Sequence, residues 1–129
     1  MRLLLDTHVL IWAVGNPERL DPRSRAMVAS RNNEVFFSAV SIWEAAIKFA
    51  LRRPDFRTRP ETLIEDARRA EFVELPVTSR AAARVADLPR HHGDPFDRLL
   101  VAQALDEGAQ LLTADAALAL YGPNILMLA

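Results

Sequence analysis

Apolar positions along this chain alternate between two kinds of segment. Short apolar runs at residues 3–5, 35–37, 72–75, 109–112 and 125–128 have the length of strands. The first two are unbroken, as expected of strands buried on both faces. Longer stretches with helical spacing fill the gaps. Asp6 can cap a helix over about 7–14, stopped by Gly15-Asn16-Pro17, and Asp21-Pro22 opens a second over 22–31. Residues 38–41 turn into a third helix carrying Trp43, Ile47 and Leu51 and closed by Pro54. Pro60 starts another, running to about 71, and Ser79 caps an alanine-rich helix that Pro89 ends after 87–88. A helix over 95–107 ends at Gly108, a residue suited to the left-handed terminus. A short helix over 115–120 precedes the last strand.

Strands and helices in this alternation predict an α/β fold, a three-layer α/β/α domain around a central parallel sheet of about five strands. A chain of 129 residues with 50% hydrophobic content is sized for one domain, 1–129. In such sheets the ligand crevice lies at the carboxyl ends of the strands, so functional side chains are expected in the residues just after each strand.

The best-defined local signal is the stretch from His92 to Ala104. Asp94 suits the cap, and Pro95 suits the first helical position, where its missing N–H costs nothing. Asp97 then falls in the first turn, where the helix dipole favours a negative charge. Its row continues through Leu100, Val101 and Ala104, so this acid sits at the rim of a buried surface and needs a partner.

Other acids fall at equivalent places. Asp6 follows the first strand, Asp115 follows the fourth through Thr113-Ala114, and Glu44 lies one turn into the helix after the second. Each has a structural reading of its own. Asp6 and Asp115 read as caps, Ser41-Ile42-Trp43-Glu44 as a capping box, and Glu44 with Lys48 as an i,i+4 ion pair.

Together they read differently, because the fold brings Asp6, Glu44, Asp97 and Asp115, with Asp94 nearby, to one edge of the sheet. Adjacent carboxylates repel by about 4 kcal/mol per pair at an effective dielectric near 20, so the group should hold protons or a cation. An all-oxygen set without His or Cys at ligand spacing selects Mg²⁺ or Mn²⁺ over Zn²⁺. Such an ion points to phosphate-ester cleavage, with Asp6 and Asp97 as main ligands and Glu44 and Asp115 bound directly or through water. Thr113 is placed to orient a water or a ligand carboxylate. Lys48, Arg52 and Arg53 are placed to track an RNA backbone, against the alternative of a solvated basic loop.

Composition adds limits. The absence of cysteine excludes disulfides, Cys-ligated zinc and thiol catalysis, and fits a cytoplasmic location. No apolar run approaches the length of about 18 needed to cross a membrane, and Asp6 interrupts the N-terminal run too early for a secretory signal. Net charge of −1 gives no global nucleic-acid signature. Charge is nevertheless polarised, since Lys48, Arg52, Arg53, Arg57 and Arg59 crowd one window against the single acid Asp55.

Four blocks carry a resemblance: Leu3-Leu4-Leu5-Asp6-Thr7-His8, Ser38 through Lys48, His92 through Ala104, and Leu112-Thr113-Ala114-Asp115. In this order and spacing the chain resembles PIN-domain ribonucleases of the VapC type, the toxins of type II toxin–antitoxin pairs. The resemblance implies metal-dependent endonucleolytic cleavage of RNA, with Asp6, Glu44 and Asp97 as core acids and Asp115 as a more variable fourth. It also implies a homodimer, and a heterotetramer or larger assembly with an antitoxin whose tail places a basic side chain in the acidic pocket. His92 belongs to a family block and either contacts phosphate or braces the turn; His8 and His91 read as structural or exposed. Two features depart from the family: Pro54 and extra arginines follow the third helix, and Gly93 stands where a larger, often basic residue is common. Two alternatives remain. A phosphoacceptor receiver needs paired acids after the first strand and a late lysine, whereas Asp6 is followed by Thr7-His8 and residues 125–129 hold no lysine. A catalytically silent PIN domain is opposed by the presence of all four acids.

Overall fold

Five parallel strands form the centre of the structure, a computed structural model that describes residues 1–128. In chain order the elements are β1 (Arg2–Leu5), α1 (Thr7–Gly15), α2 (Pro22–Ala29), β2 (Glu34–Ser38), α3 (Ala39–Ala50), α4 (Pro60–Arg69), β3 (Val73–Leu75), α5 (Ser79–Arg84), α6 (Pro95–Glu107), β4 (Gln110–Thr113) and β5 (Ile125–Met127). Short 3₁₀ turns at Pro17–Arg19, Val85–Asp87 and Ala116–Tyr121 complete the path. No helix among the described residues is long and apolar enough to cross a membrane.

The pleat of β1 explains the three layers. Leu3 and Leu5 point to one face, where Val9 and Leu10 of α1 and Leu63 and Ala67 of α4 cover them. Leu4 points to the other face, against Leu100, Val101 and Ala104 of α6. All these residues are buried, so an unbroken apolar strand is what the centre of a doubly covered sheet requires. Helix α3 crosses the sheet edge and serves both cores, with Ala45 on one side and Val40 on the other.

Strand order is β3-β2-β1-β4-β5. The chain winds outward from β1 through β2 to β3, then returns to place β4 on the free side of β1. The order reverses between β1 and β4, and a crevice opens at the carboxyl ends of strands at such a switch point. Two strands lie beyond β1 on its β2 side, which differs from the 2-1-3-4-5 order of flavodoxin-like domains. The receiver alternative therefore fails on topology.

Several expected boundaries shift for local reasons. Ser38, not Ser41, caps α3, its Oγ accepting from Val40 N–H at 3.0 Å. Ser41 is therefore inside the helix, and Ser41 with Glu44 is not a capping box. Thr78, not Ser79, caps α5, accepting from Ala81 N–H at 3.1 Å, and the expected continuation to 87–88 tightens into 3₁₀ geometry. The predicted helix over 115–120 is also a 3₁₀ turn, capped by Asp115. Helix α2 stops at Ala29, where Asn33 Nδ2 donates to Met27 O. Helix α4 stops at Arg69 because Glu71 adopts φ 67° and lets Phe72 N–H reach back to Ala67 O.

Candidate metal centre

Asp6 stands where β1 ends at the switch point. Its N–H continues the ladder by donating to Leu112 O at 3.0 Å. Its Oδ1 caps α1, accepting from His8 N–H at 2.9 Å and Val9 N–H at 3.3 Å. Oδ2 accepts the hydroxyl of Thr113, which in turn accepts from Asp115 N–H at 3.0 Å. Burial pushes the Asp6 carboxyl above its ordinary range, and these bonds from Thr113, Val9 and His8 only partly offset it.

Glu44 projects from α3 into the same space and is only 3% exposed. Thr7 Oγ1 donates to its Oε1 at 2.6 Å and lies 3.0 Å from Ser41 Oγ. Lys48 Nζ, one turn further along α3, donates to its Oε2 at 2.6 Å. The expected i,i+4 pair therefore forms, but inside the cleft and not on a solvated face.

Asp97 comes from the first turn of α6. Asp94 caps that turn, accepting from Phe96 N–H at 2.8 Å and Asp97 N–H at 3.2 Å, so the cap fixes where Asp97 points. Burial, and after it the charges of Asp94, Asp6 and Glu44, push the Asp97 carboxyl up to about 7.

His92 bridges the remaining acids. Its Nδ1 accepts from Asp94 N–H at 3.0 Å, so the neutral ring carries its proton on Nε2 and donates it to Asp115 Oδ2 at 2.8 Å. Nε2 also lies 3.3 Å from Asp97 Oδ2. The bond to Asp115 raises the His92 pKa against the opposing effect of burial. Asp115 responds in kind: burial would raise it, yet the His92 bond and the Ala117 N–H hold it below the usual carboxylate range. One ligating atom from each of His92, Asp97 and Asp115 lies within 4.8 Å of the other two. The loop carrying His92 is held by Arg98, whose guanidinium donates to Val85 O, Pro89 O and the Tyr121 hydroxyl, while Tyr121 also accepts His92 N–H.

These groups line one cleft of about 400 Å³, shared by Asp6, Thr7, His8, Trp12, Glu44, Lys48, His92, Asp94, Asp97, Ala114 and Asp115. Thr113 lies behind it, acting through Asp6 and Asp115. Arg52 and Arg53 do not line it. They border a neighbouring groove of about 600 Å³ with Phe49, Phe56 and Arg57. Lys48 stands between the two spaces, its Nζ 5.1 Å from the centroid of the Phe56 ring.

One expectation needs correcting: the donor set is not all oxygen, because the His92 imidazole stands among the carboxylates. Three side chains also take parts in the cleft that the sequence did not assign them. His8 lines the cleft, pairs with Asp55 at 2.8 Å and stacks near Trp12 and Phe56, which pins the segment after α3 against α1. Trp12 lines the cleft as well, and the i,i+4 spacing of His8 and Trp12 is the signal that places both on one face of α1. Asp94, read as mainly structural, does cap the helix but also adds its charge to the cleft.

Carboxylates this crowded, with one lysine and two histidines in the same cleft, are the side chains here that could hold a divalent cation, and hydroxyls from Thr7 and Thr113 fix two of the carboxylates from behind. Fold and cleft together define a parallel α/β/α protein with an acidic centre at its switch point. The PIN domain family pattern matches residues 3–122, and the chain belongs to that family. It is 30% identical over 115 residues to Ribonuclease VapC22 of Mycobacterium tuberculosis (strain ATCC 25618 / H37Rv), covering 88% of this chain and 86% of that protein. Among solved structures, VapBC2 from Rickettsia felis bound to a DNA fragment from their promoter matches with a TM-score of 0.71 at 15% identity, covering 98% of this chain and 97% of that one. VapBC-5 from Mycobacterium tuberculosis, a member of the VapBC family of toxin-antitoxin systems, matches at 0.62 with 21% identity, covering 98% and 97%. DNA-bound VapBC from Salmonella typhimurium matches at 0.63 with 16% identity, covering 98% and 96%. At these identities the structural likenesses speak for the fold.

Proposed function

We propose that this protein is the ribonuclease toxin of a type II toxin–antitoxin pair, cleaving RNA at a divalent-ion centre formed by Asp6, Glu44, Asp97 and Asp115. The observation that carries this reading is the convergence of Asp6, Glu44, Asp97 and Asp115 on one cleft with Lys48 and His92, a crowding that also pushes the buried Asp97 carboxyl up to about 7. That shift marks a centre short of positive charge, which a divalent cation corrects. Membership of the PIN domain family and the similarity to a named ribonuclease support the same activity. Mg²⁺ and Mn²⁺ are the ions that suit the carboxylates, and the His92 imidazole favours Mn²⁺ more than an all-oxygen set would.

A divalent ion held by Asp6, Glu44, Asp97 and Asp115 would supply Lewis-acid neutralisation of the phosphodiester and a more acidic attacking water. The chain's own residues do the rest. Thr113 holds Asp6 and Thr7 holds Glu44 in fixed rotamers, so two carboxylates face the cleft without reorganisation. Asp97, with its carboxyl raised to about 7, would hold the ion in its ionised form together with Asp6 and Glu44. Lys48 gives up part of its hold on Glu44 and offers its ammonium to the phosphate beside the cleft. Arg52 and Arg53 carry the RNA backbone away along the adjoining groove.

The structural neighbours are VapBC proteins, of which the VapBC-5 structure is described as a member of a family of toxin-antitoxin systems, and on this reading the present chain also pairs with an antitoxin, as a homodimer within a heterotetramer or larger assembly in the cytoplasm. A basic side chain of the antitoxin would suit the acidic cleft. The test is cleavage of single-stranded RNA by the purified protein with Mg²⁺ or Mn²⁺. Activity should disappear with chelator, return with Mn²⁺, and be lost in Asp6→Asn and Glu44→Gln. Cleavage that survives both substitutions would remove these residues from the centre.

A further inference from the structure

Helix α3 exposes a tryptophan beside the acidic cleft. Trp43 is 59% exposed, although its sequence neighbour Glu44 is buried. Its ring meets Phe96 edge to face, with centroids 5.1 Å apart. Phe96 directly precedes Asp97 and is packed against the core on the α6 side of the sheet, so it gives the indole a fixed backing. The Lys48 ammonium, which holds Glu44, lies 5.9 Å from the centroid of the same Phe96 ring. Lys48, Phe96 and Trp43 thus form a continuous wall that begins with a cation at the cleft and ends with an open aromatic surface.

We propose that Trp43, backed by Phe96, is the platform on which an unpaired base next to the scissile phosphate stacks. This inference rests on the ribonuclease reading and adds the feature that selects single-stranded substrate. An aromatic face beside a cation suits the two parts of a nucleotide, the phosphate going to the ammonium and the base to the ring. Every base offers a π face, so stacking here demands an unpaired nucleotide and not a particular sequence. A base already stacked within a duplex cannot reach the indole, and cleavage is confined to loops and single strands.

The experiment compares wild type, Trp43→Ala, Trp43→Leu and Trp43→Phe on a short single-stranded RNA with Mn²⁺. Trp43→Ala and Trp43→Leu raise KM about ten-fold while kcat stays close to wild type, and Trp43→Phe keeps most of the affinity. Leucine keeps apolar area without a π face, which separates stacking from simple burial. In a Trp12→Phe background Trp43 is the sole indole, and a non-cleavable 2′-deoxy oligonucleotide quenches its fluorescence without metal. Unchanged KM in Trp43→Ala overturns the proposal. So does loss of the dimer in sedimentation with no quenching in the parent, which assigns Trp43 to a protein contact. Absence of cleavage by wild type with quenching intact would instead overturn the ribonuclease reading and leave the stacking platform standing.

Discussion

The hydroxyl of Thr113, at the end of β4, donates to Asp6 Oδ2, at the end of β1, and so couples the two strands that flank the switch point. Oδ1 of the same carboxylate is committed to the first turn of α1. Asp6 is thereby locked in one rotamer before any cation arrives. Thr113→Val keeps the shape and removes the donor. It should weaken Mn²⁺ binding about ten-fold, as loss of a bond to a metal ligand does, and lower Tm as well, because the buried Asp6 Oδ2 and the Asp115 N–H lose their partner; Thr113→Ser should restore both. Calorimetric titration of Mn²⁺ into the three proteins checks this.

Stability of the metal-free protein should fall as pH rises. Asp97 has its carboxyl at about 7 when folded, against the ordinary value of 3.8 that applies to the unfolded chain. Between those values the folded state binds more protons than the unfolded one, so stability declines with pH across that window and stays low above it. Thermal melts in chelator from about pH 5 to pH 8 should show this decline. Asp97→Asn should flatten it, and saturating Mn²⁺ should reverse it by stabilising the ionised form.

Ser38 and Gln103 join the helices that carry Glu44 and Asp97. Ser38 Oγ donates to Gln103 Oε1, and Gln103 Nε2 donates to Pro76 O at 3.3 Å, with both side chains almost fully buried. Ser38→Ala strands a buried acceptor and removes the α3 cap, so a loss of about 1–3 kcal/mol is expected. Adding Gln103→Leu should cost less than the two single changes together, because the acceptor then no longer needs a partner. Urea unfolding of the double-mutant cycle reads the coupling.

Arg52 ends α3 at φ 56°, with Arg53 N–H reaching back to Lys48 O at 3.0 Å. A glycine favours that left-handed position, so Arg52→Gly should stabilise the protein by about 1 kcal/mol in urea unfolding. If Arg52 also tracks RNA, the same change should raise KM in low salt, and the effect should fade as salt is added. A lower KM or none of this salt dependence would remove Arg52 from the substrate groove.

Local signals in the sequence were strong enough to place α6 almost residue by residue. Asp94, Pro95 and Gly108 act on their own turn, and the structure has the cap, the proline and the left-handed terminus at φ 61° where expected. The end of β1 was legible for a similar reason, because an unbroken apolar run that stops at an acid marks where a doubly covered strand leaves the sheet. What the sequence hid depends on contacts distant in the chain. Ser41 looks like a cap until Thr7, from another helix, lies beside it. The roles of His8 and Asp55 depend on a pairing that spans the segment after α3. His92 joined the acids only because Arg98 and Tyr121 hold its loop over the cleft, a support with no local sequence pattern. The basic window divided in the structure, with Lys48 turning into the cleft and Arg52 and Arg53 bordering the groove beside it.

The most direct test of the central claim is a Mn²⁺ titration of the metal-free protein near pH 6.5, below the Asp97 pKa of about 7, followed by water-proton relaxation and calorimetry. Saturable binding to the folded protein is expected, with protons released from Asp97 as the ion enters. Binding should be lost or weakened by at least ten-fold in Asp97→Asn and in Asp6→Asn. Equal affinity in wild type and both variants would contradict the metal centre described here.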